Sequence, residues 1–460
     1  MHLTKIFEFN RSVASITFSV MIVLLMGNTF PCFGDGPTAW LENDGTDLGF
    51  TENIIQEGTP GDRTQYADVT DFDSDGDSDV ATAGGDTIAW FENNGDTNFT
   101  KHVVSSGGTT SNAEKVEIVD FDEDSDSDLV VVTDGAFLWY ENDGSNTNFT
   151  EQVIDASSSA TNGIDIHATK FDGDGDIDVV TATLLSDTIS WYENDGSDVN
   201  FTQHTIDSGG SASFTEIEPV DFDDDGDTEV VSAGLLSGFR WYDNDGGDTV
   251  FTTRVIAGSN ETGSARDIEP VDFNQDGNMD VVTADLGDTF AWFENSGTDT
   301  SFTSHIIDSG NGALQAVDIH ASDFDKDGDV DAVTAAKESD EVSWYENDGT
   351  DTGFRRNLID TGASADSALD VDPVNFNNDG HMDVVTVSIG TTNTSSENSP
   401  NQNNGGTANG GCVIGKLTPD RGTVNSLRSI RDDIMNYTIG RAITKWYYWI
   451  SKNLLTYTRL

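Results

Sequence analysis

One short segment of the chain concentrates oxygen donors in a way that suits a metal ion. The segment DFDSDGDSD, residues 71–79, places an aspartate at every second position. Two unit charges about 4 Å apart cost ~1 kcal/mol in water and ~4 kcal/mol at an effective dielectric near 20. A divalent cation among these carboxylates would turn the repulsion into attraction, and Ca²⁺ takes six to eight oxygen ligands. Gly76 at the sixth position permits the sharp bend that such a loop needs.

The segment recurs along the chain, and we call its copies acidic loops 1 to 7. Loops 2 to 7 begin at residues 120, 170, 221, 272, 323 and 375. An EF-hand would need a bidentate glutamate at position 12 and flanking helices, but position 12 holds Thr, Val or Ser and the flanks are strand-like. Solvated acidic turns without an ion would explain one copy, but not seven in register. We predict Ca²⁺ rather than Mg²⁺, which demands strict octahedral geometry and keeps its waters.

A tryptophan motif keeps step with the acidic loops. Its copies are WLENDG at 40, WFENNG at 90, WYENDG at 139, 191 and 344, WYDNDG at 241 and WFENSG at 292. Each unit of about 50 residues also holds four short runs rich in β-branched and aromatic residues, separated by Gly, Asn, Asp and Ser. Four strands per unit is the signature of a propeller blade.

The two ends of the repeat region indicate the number of blades. The region opens with TAWLEN and FTENII, a third and a fourth strand, and closes with LDVDPVNF and MDVVTVS, a first and a second strand. Such half-units can pair and close the ring, which removes open sheet edges. We predict an all-β, seven-bladed β-propeller over residues 36–390. The alternative, a linear β-solenoid, would leave the complementary half-units unexplained.

The acidic loops and the tryptophan motif resemble the bacterial FG-GAP, or VCBS, repeat family, whose calcium-bound blades form propellers like the head of integrin α subunits. The resemblance spans residues 36–390 and implies calcium ligands at positions 1, 3, 5 and 9, with the backbone carbonyl of position 7. The implied site residues are Asp71, Asp73, Asp75, Asp77 and Asp79 in loop 1; Asp120, Asp122, Asp124, Asp126 and Asp128 in loop 2; Asp172, Asp174, Asp176 and Asp178 in loop 3; Asp221, Asp223, Asp225, Asp227 and Glu229 in loop 4; Asp272, Asn274, Asp276, Asn278 and Asp280 in loop 5; Asp323, Asp325, Asp327, Asp329 and Asp331 in loop 6; and Asn375, Asn377, Asp379, His381 and Asp383 in loop 7.

Three loops depart from this pattern. Loop 2 has Ser125 in place of the glycine, so we expect a strained bend. Loop 3 has Lys170 in place of the first ligand, and its ammonium could sit where calcium would. Loop 7 keeps only two carboxylates, which predicts a weaker site, because charge count tunes affinity.

Composition and the N-terminus point to export. The chain of 460 residues has 84 Asp plus Glu against 21 Lys plus Arg, a formal charge of −63, which argues against binding nucleic acid through its phosphates. Residues 1–34 have a basic start, an apolar run over 13–27 and small residues before Gly34, which predicts a cleaved signal peptide. The run is short for the alternative, a membrane anchor. Cleavage would remove Cys32 and leave Cys412 alone, so calcium would replace disulfides as the staple of a secreted or envelope protein.

Three further sets of residues recur in register. We expect the tryptophans to pack between blades, with an aromatic platform for sugar rings as the alternative. His102, His204 and His305 share one place on the fourth strand, and its variety in other units indicates an exposed position rather than a zinc site. A polar residue stands three positions before each acidic loop and could either line the axial channel or support the loop. These residues are Asp68, Glu117, His167, Glu218, Glu269, His320 and Asp372.

The C-terminal part differs in composition. Residues 391–411 form a linker rich in Asn, Gly, Ser and Thr. Residues 412–460 are basic, and their pattern predicts two helices broken near Gly440. This segment resembles the CFI-box segment of exported bacterial proteins, and the match lies in CVI, LRSIRDDIM and IGRAITKWYYWIS. The resemblance implies an attachment or sorting role. The alternative is a basic amphipathic helix pair on a membrane surface or on the acidic propeller.

The predicted function is binding rather than catalysis. No GxSxG, HExxH, Walker or GxGxxG segment stands in a fitting context. We expect an exported, calcium-stabilised propeller that acts as a binding or adhesion module for an extracellular protein or glycan, with a membrane or envelope contact through its tail and no nucleic acid. One alternative is a lectin with sugar sites repeated between blades. A polysaccharide-degrading enzyme is another, because carboxylate pairs abound.

Overall fold

The computed structural model describes residues 36–389 apart from residues 58–63, 96–97, 109–111, 185, 209, 211, 260–261, 263 and 363–364. The expected signal peptide, the linker over 391–411 and the basic segment over 412–460 lie outside the described residues. No helix in the described part of the chain is long and apolar enough to cross a membrane.

Strands form seven antiparallel sheets of four, which we number as blades 1 to 7 after their acidic loops. The chain opens with β1 (Thr38–Asn43) and β2 (Phe50–Gln56). Blade 1 contains β3 (Thr64–Thr70), β4 (Asp79–Gly84), β5 (Thr87–Asn93) and β6 (Phe99–Ser106), and blade 2 contains β7 (Ala113–Val119), β8 (Asp128–Thr133), β9 (Phe137–Asn142) and β10 (Phe149–Asp155). Blade 3 contains β11 (Gly163–Thr169), β12 (Asp178–Thr183), β13 (Thr188–Asn194) and β14 (Phe201–Ser208), and blade 4 contains β15 (Phe214–Val220), β16 (Glu229–Gly234), β17 (Gly238–Asn244) and β18 (Phe251–Gly258). Blade 5 contains β19 (Ala265–Val271), β20 (Asp280–Asp285), β21 (Thr289–Asn295) and β22 (Phe302–Asp308), and blade 6 contains β23 (Ala316–Ser322), β24 (Asp331–Ala336), β25 (Glu341–Asn347) and β26 (Phe354–Asp360). The chain returns through β27 (Ala368–Val374) and β28 (Asp383–Ser388).

Blade 7 closes the ring from the two ends of the propeller. Its strand order is β2-β1-β28-β27, and β1 pairs antiparallel with β28, with Thr38 opposite Val387 and Leu41 opposite Val384. The first strands of successive blades lie side by side, and β27 adjoins β3. The prediction of a seven-bladed all-β propeller closed by complementary half-blades is confirmed.

The second strand of every blade is buried on both faces, and all six of its residues are buried. These strands are short continuous runs rich in Val, Ala and Thr, such as DVVTAT in β12. They show no alternation of polar and apolar residues, because a neighbouring blade covers each face. The core therefore lies between blades and repeats seven times around the ring.

The tryptophans of the motif fill the spaces between blades. All seven are 0–2% exposed. Trp191 stacks on Phe171 with ring centroids 4.9 Å apart, and its indole N–H donates to the Asp248 carbonyl of blade 4 at 3.0 Å. This confirms the predicted packing role, since side chains so deeply buried leave no platform for a sugar ring.

Candidate metal-binding loops and the axial channel

The seven acidic loops lie at one end of the propeller, since each joins the first strand of a blade to the second. The tryptophan-motif turn, which joins the third strand to the fourth, falls at the same end in an antiparallel sheet. Every loop has a positive φ at position 4, from 55° at Gln275 to 71° at Gly173. Position 6 has a positive φ as well, up to 113° at Gly175, and glycine adopts this conformation at no steric cost.

Positions 1 and 5 brace the bend with hydrogen bonds. In loop 1 the Gly76 N–H donates to Asp71 Oδ2 at 3.1 Å, and the same contact occurs in loops 2, 5, 6 and 7. The position 7 N–H donates to Oδ1 of position 5 in every loop. These contacts explain why oxygen-bearing side chains recur at alternate positions.

Position 9 anchors the loop to the blade. Asp79 is 0% exposed, and its two carboxylate oxygens accept the Asn93 N–H at 2.7 Å and the Phe72 N–H at 3.0 Å. The aspartates at position 9 of loops 2, 3, 5, 6 and 7 make the same two bonds. Burial raises the pKa of Asp79 to about 7, although the N–H donors oppose the rise. The sequence had marked position 9 as a ligand, and the structure gives it an architectural role as well.

Carboxylate oxygens converge in four of the loops. One oxygen from each of three residues lies within 4.8 Å of the others at positions 1, 3 and 9 of loops 1, 2 and 6, and at positions 1, 3 and 5 of loop 4. Oxygens that bind one Ca²⁺ at 2.3–2.6 Å lie within about 5 Å of one another. Among the described residues, loops 3, 5 and 7 form no such group of ionisable side chains. In each of them Lys or Asn replaces a carboxylate at position 1 or 3.

Position 7 packs against the tryptophan-motif turn. A Cβ atom added to Gly144 would lie 2.5 Å from Asp126 Oδ2, and one added to Gly196 would lie 2.6 Å from Asp176 Oδ2. The motif asparagine holds the same junction, because Asn142 Nδ2 donates to the Ser127 carbonyl at position 8 of the loop, 3.0 Å away. The sequence analysis did not predict this contact between the motif and the acidic loop. The constant register of the two motifs was the signal that could have revealed it.

The atypical residues of loops 2 and 3 adopt defined conformations. Ser125 has a φ of 80°. This left-handed conformation costs L-residues about 1–2 kcal/mol, so the bend is strained as predicted. The Lys170 ammonium pairs with Glu123 of loop 2, and both side chains are half-exposed. The expectation that this ammonium could take the place of the ion is therefore wrong, since the side chain extends toward the neighbouring loop. The loop nevertheless lacks a carboxylate at position 1.

Loop 4 tests whether these residues fit a calcium ion. Its position 9 residue, Glu229, is 0% exposed; Oε2 accepts the Phe222 N–H at 2.7 Å, whereas Oε1 is buried and has no hydrogen-bond partner. Asp223 Oδ1 is also buried without a partner. Burial and the neighbouring carboxylates, Asp225 first, raise the pKa of Asp223 to about 6. A hard cation would supply the missing partner for both oxygens, and oxygen-only donors suit Ca²⁺. The residues present therefore fit calcium.

The comparison with protein families matches this geometry. The model of the FG-GAP-like repeat matches residues 71–131, 120–181, 170–232, 221–283, 272–334 and 323–386, so more than half of the chain is covered. The chain belongs to the FG-GAP-like repeat family. Each match begins at position 1 of one acidic loop and ends just inside the second strand of the next blade, so an FG-GAP repeat spans from one blade into the following one. No curated protein matches the chain.

Two solved structures are similar to this FG-GAP protein. A lectin from Agrocybe aegerita, described as specifically recognising non-reducing terminal N-acetylglucosamine, is similar with a TM-score of 0.52 and 18% identity, over 72% of this chain and 93% of the lectin. A protein from Lactobacillus plantarum is similar with a TM-score of 0.48 and 14% identity, over 71% of this chain and 96% of that one. At 18% identity the likeness to the lectin is one of fold.

Two rings of polar side chains line the axis of the FG-GAP propeller. The predicted ring three residues before each loop alternates along the first strand with a second ring two residues earlier: Tyr66, Lys115, Asp165, Glu216, Asp267, Asp318 and Asp370. Four aspartates of this second ring accept a backbone N–H from the next blade, at Ile217, Ile319, Val371 and Ala67, over 2.7–3.0 Å. The rings therefore join the blades at the axis, which favours the channel-lining alternative.

In the predicted ring, three carboxylates bind the next blade and three members face a proline. Asp68, Glu117 and Glu269 each accept a backbone N–H from the next blade, at Ile118, Ala168 and Ala321. The next blade presents Pro219, Pro270 or Pro373 at this place to His167, Glu218 and His320. Proline has no N–H to offer. Histidine thus occurs in this ring only where a proline removes the donor that a carboxylate would accept.

Lys115 is the one lysine in these rings. Its ammonium lies 2.6 Å from Asp165 Oδ1, 2.8 Å from Glu216 Oε1 and 2.9 Å from His167 Nε2, so it connects blades 2, 3 and 4. Lys115 is 4% exposed and Asp165 is 0% exposed. Burial would lower the pKa of Lys115, but the two carboxylates outweigh it and raise this pKa above its usual value. One oxygen each of Asp165 and Glu216 and one nitrogen of His167 also lie close enough to hold a metal ion. The lysine ammonium neutralises this cluster.

The three histidines of the fourth strands stack on the motif tryptophans of their own blades. His102, His204 and His305 stack on Trp90, Trp191 and Trp292 with ring centroids 4.4–4.5 Å apart. Each Nε2 lies 2.8–2.9 Å from a glutamate of the third strand, Glu92, Glu193 or Glu294. The rings are 21–25% exposed, so the position is half-buried rather than fully exposed as expected. Among the described residues no third ionisable side chain groups with one of these histidines and its glutamate.

Proposed function

We propose that this FG-GAP propeller is an exported, calcium-stabilised module that binds a protein or glycan at the cell surface. The observation that carries the proposal is the ring of acidic loops, four of which bring three carboxylates within 4.8 Å of one another. Export is supported by the N-terminal signal pattern over residues 1–34. The charge of −63 makes an external cation source important for the fold.

Calcium in this proposal has a structural role. An ion that binds only the folded state adds about 2.7 kcal/mol per site at 100 times its dissociation constant. We expect EDTA to lower the melting temperature of the full chain substantially and excess Ca²⁺ to restore it. An unchanged melting curve in EDTA, together with no alkaline-earth metal by elemental analysis, would refute this role.

Recognition is assigned to the end of the propeller opposite the acidic loops. The connections from a fourth strand to the next first strand lie there, because each antiparallel crossing returns the chain to the other end. They vary between repeats, as SSGGTTSNAE over 105–114 and AGSNETGSAR over 257–266 illustrate, whereas the acidic loops repeat. Variable loops on a rigid scaffold usually carry recognition.

The ligand class is tested with the full chain. The experiment measures binding to arrays of glycans and of extracellular matrix proteins, with Ca²⁺ and with EDTA. We expect calcium-dependent binding to one ligand class, reduced when residues 259–264, which connect β18 to β19, are replaced by a Gly-Ser segment of equal length, and unchanged when the exposed Asp143 is replaced by Ser. Binding that is indifferent to calcium would contradict the proposal.

A lectin is the second candidate, favoured by the fold likeness to the Agrocybe aegerita lectin. Sites repeated between blades would give several equivalent, weak sugar sites, and they could not use the motif tryptophans, which are at most 2% exposed. A glycan array that shows low-affinity multivalent binding would favour it over a single recognition surface.

The module is proposed to be non-catalytic. The carboxylate groups recur in register, whereas a propeller enzyme would need a unique set, and the backbone already engages most of them. A panel of common polysaccharides tests this, and turnover of any of them would overturn the assignment.

A further inference from the structure

Loop 4 differs from its six counterparts at two ligand positions. In the others, Oδ1 of position 9 accepts the N–H of the motif asparagine, but Glu229 makes no such bond to Asn244 and its Oε1 is buried without a partner. In the others, Oδ1 of position 3 accepts the N–H of position 5. In loop 4 the Asp225 N–H donates to Asp221 instead, at 3.1 Å, and Asp223 Oδ1 is left buried without a partner.

The extra methylene of glutamate explains the first difference. An aspartate at position 9 reaches both backbone N–H groups at once, and loop 6 shows this with Asp331 at 2.7 Å from Asn347 N and 3.0 Å from Phe324 N. Glu229 keeps only the bond to Phe222, the second residue of loop 4, and its other oxygen is buried without a hydrogen-bond partner. The three carboxylates that converge in this loop are those of Asp221, Asp223 and Asp225, so the free Asp223 oxygen is on a member of that group, whereas Glu229 is not a member.

We propose that loop 4 is the highest-affinity calcium site of the propeller and the last to release its ion. This inference rests on the proposed calcium role and adds a ranking among the loops. In the six loops with a complete set of backbone bonds, the metal-free state leaves these oxygens paired. In loop 4 the metal-free state leaves two buried carboxylate oxygens unpaired, which is costly, and the ion removes that cost when it binds.

The test is a calcium titration of the full-length chain against a fluorescent chelator, combined with melting curves in Ca²⁺ and in EDTA. We expect one ion per chain to bind at least tenfold more tightly than the rest, a difference of ~1.4 kcal/mol. Glu229→Asp should abolish this tight class and raise the melting temperature in EDTA, because the aspartate regains both backbone bonds. Glu229→Gln, which keeps the side-chain length, should weaken the tight class without that rise.

The matched control is Asp325→Asn in loop 6, a change that loop 5 carries naturally as Asn274. It should weaken one of the weaker sites and leave the tight class intact. If the wild type binds several ions and Glu229→Asp leaves the tightest class unchanged, the ranking is wrong while the calcium role stands. If the wild type binds no calcium at all, the proposed role fails and the ranking fails with it.

Discussion

Replacement of Lys115 by methionine probes the axial channel most directly. The change keeps the apolar stem but removes an ammonium that lies 2.6 Å from Asp165 and 2.8 Å from Glu216. Asp165 would then be a buried carboxylate that has lost its nearest cation and keeps only the His167 imidazole, whose Nε2 lies 3.4 Å from Oδ1. Breaking a buried ion pair by removing one partner costs about 3–5 kcal/mol. Unfolding entropy is about 2.1 cal/mol/K per residue, so a domain of roughly 350 residues should lose about 1.4 °C per kcal/mol, and the melting temperature should fall by ~4–7 °C.

The assay is thermal unfolding of the full chain in saturating Ca²⁺, so that the metal state stays constant. Lys101→Met, at an exposed lysine on β6 whose ammonium donates to Gln56 Oε1 at 2.8 Å, is the control and should lower the free energy of unfolding by no more than about 1 kcal/mol. The double variant Lys115→Met, Asp165→Asn should recover more than half of the loss, because it removes the stranded charge. A single variant as stable as the wild type, or a double variant no better than the single one, would refute the reasoning.

Three further variants test other contacts. Burial lowers the pKa of His320, but the carboxylates of Asp318 and Glu269, aided by Asp372 and Asp267, outweigh it and raise this pKa to about 10. The charged histidine therefore stabilises the fold fully below pH 6.5, and this stabilisation is lost as the pH rises toward 10. The melting temperature of His320→Gln should differ most from that of the wild type near pH 6 and least near pH 10, and a difference that is constant with pH would contradict this. Gly144→Ala places a Cβ at a φ of 76° and 2.5 Å from Asp126 Oδ2, which should destabilise the protein by about 1–2 kcal/mol or more. Gly135→Ala is the control, because the space around this glycine is open, and it should not destabilise the protein. Equal denaturation midpoints for the two variants would count against the packing of loop 2 on the tryptophan-motif turn. Ser125→Gly removes a side chain at a φ of 80° and should raise the free energy of unfolding by ~1 kcal/mol. Ser127→Gly is the control and should not raise it. A loss of stability in Ser125→Gly would show that the bend carries no strain.

Much of the fold was predictable, because the same pattern of strand and turn residues recurs in every repeat. A single DFDSDGDSD is ambiguous, whereas seven copies in step with seven tryptophan motifs fix the blade length. The complementary half-units then predict the pairing of β1 with β28, which the structure confirms. The alternation of carboxylates predicted which side chains converge, and the structure brings them together in four loops.

Other features were beyond sequence reasoning because they depend on contacts between residues far apart in the chain. Lys115 and Glu216 form an ion pair although they are 101 residues apart in the sequence, and no local sequence pattern predicts that pair. Lys170 extends toward Glu123 of another blade rather than into its own loop. Position 9 resembles a ligand like the others, yet in six loops its oxygens already accept two backbone N–H groups, one from the loop itself and one from the end of the third strand.

The sequence by itself determined the number and order of the blades, since turn residues and hydrophobic runs act locally and recur at a fixed period. Only the tertiary structure decided which oxygens in each loop remain free for an ion and which charges meet at the axis. The physical reason is that a buried carboxylate is satisfied by whichever donor the fold brings within about 3 Å, and that donor is usually on another strand.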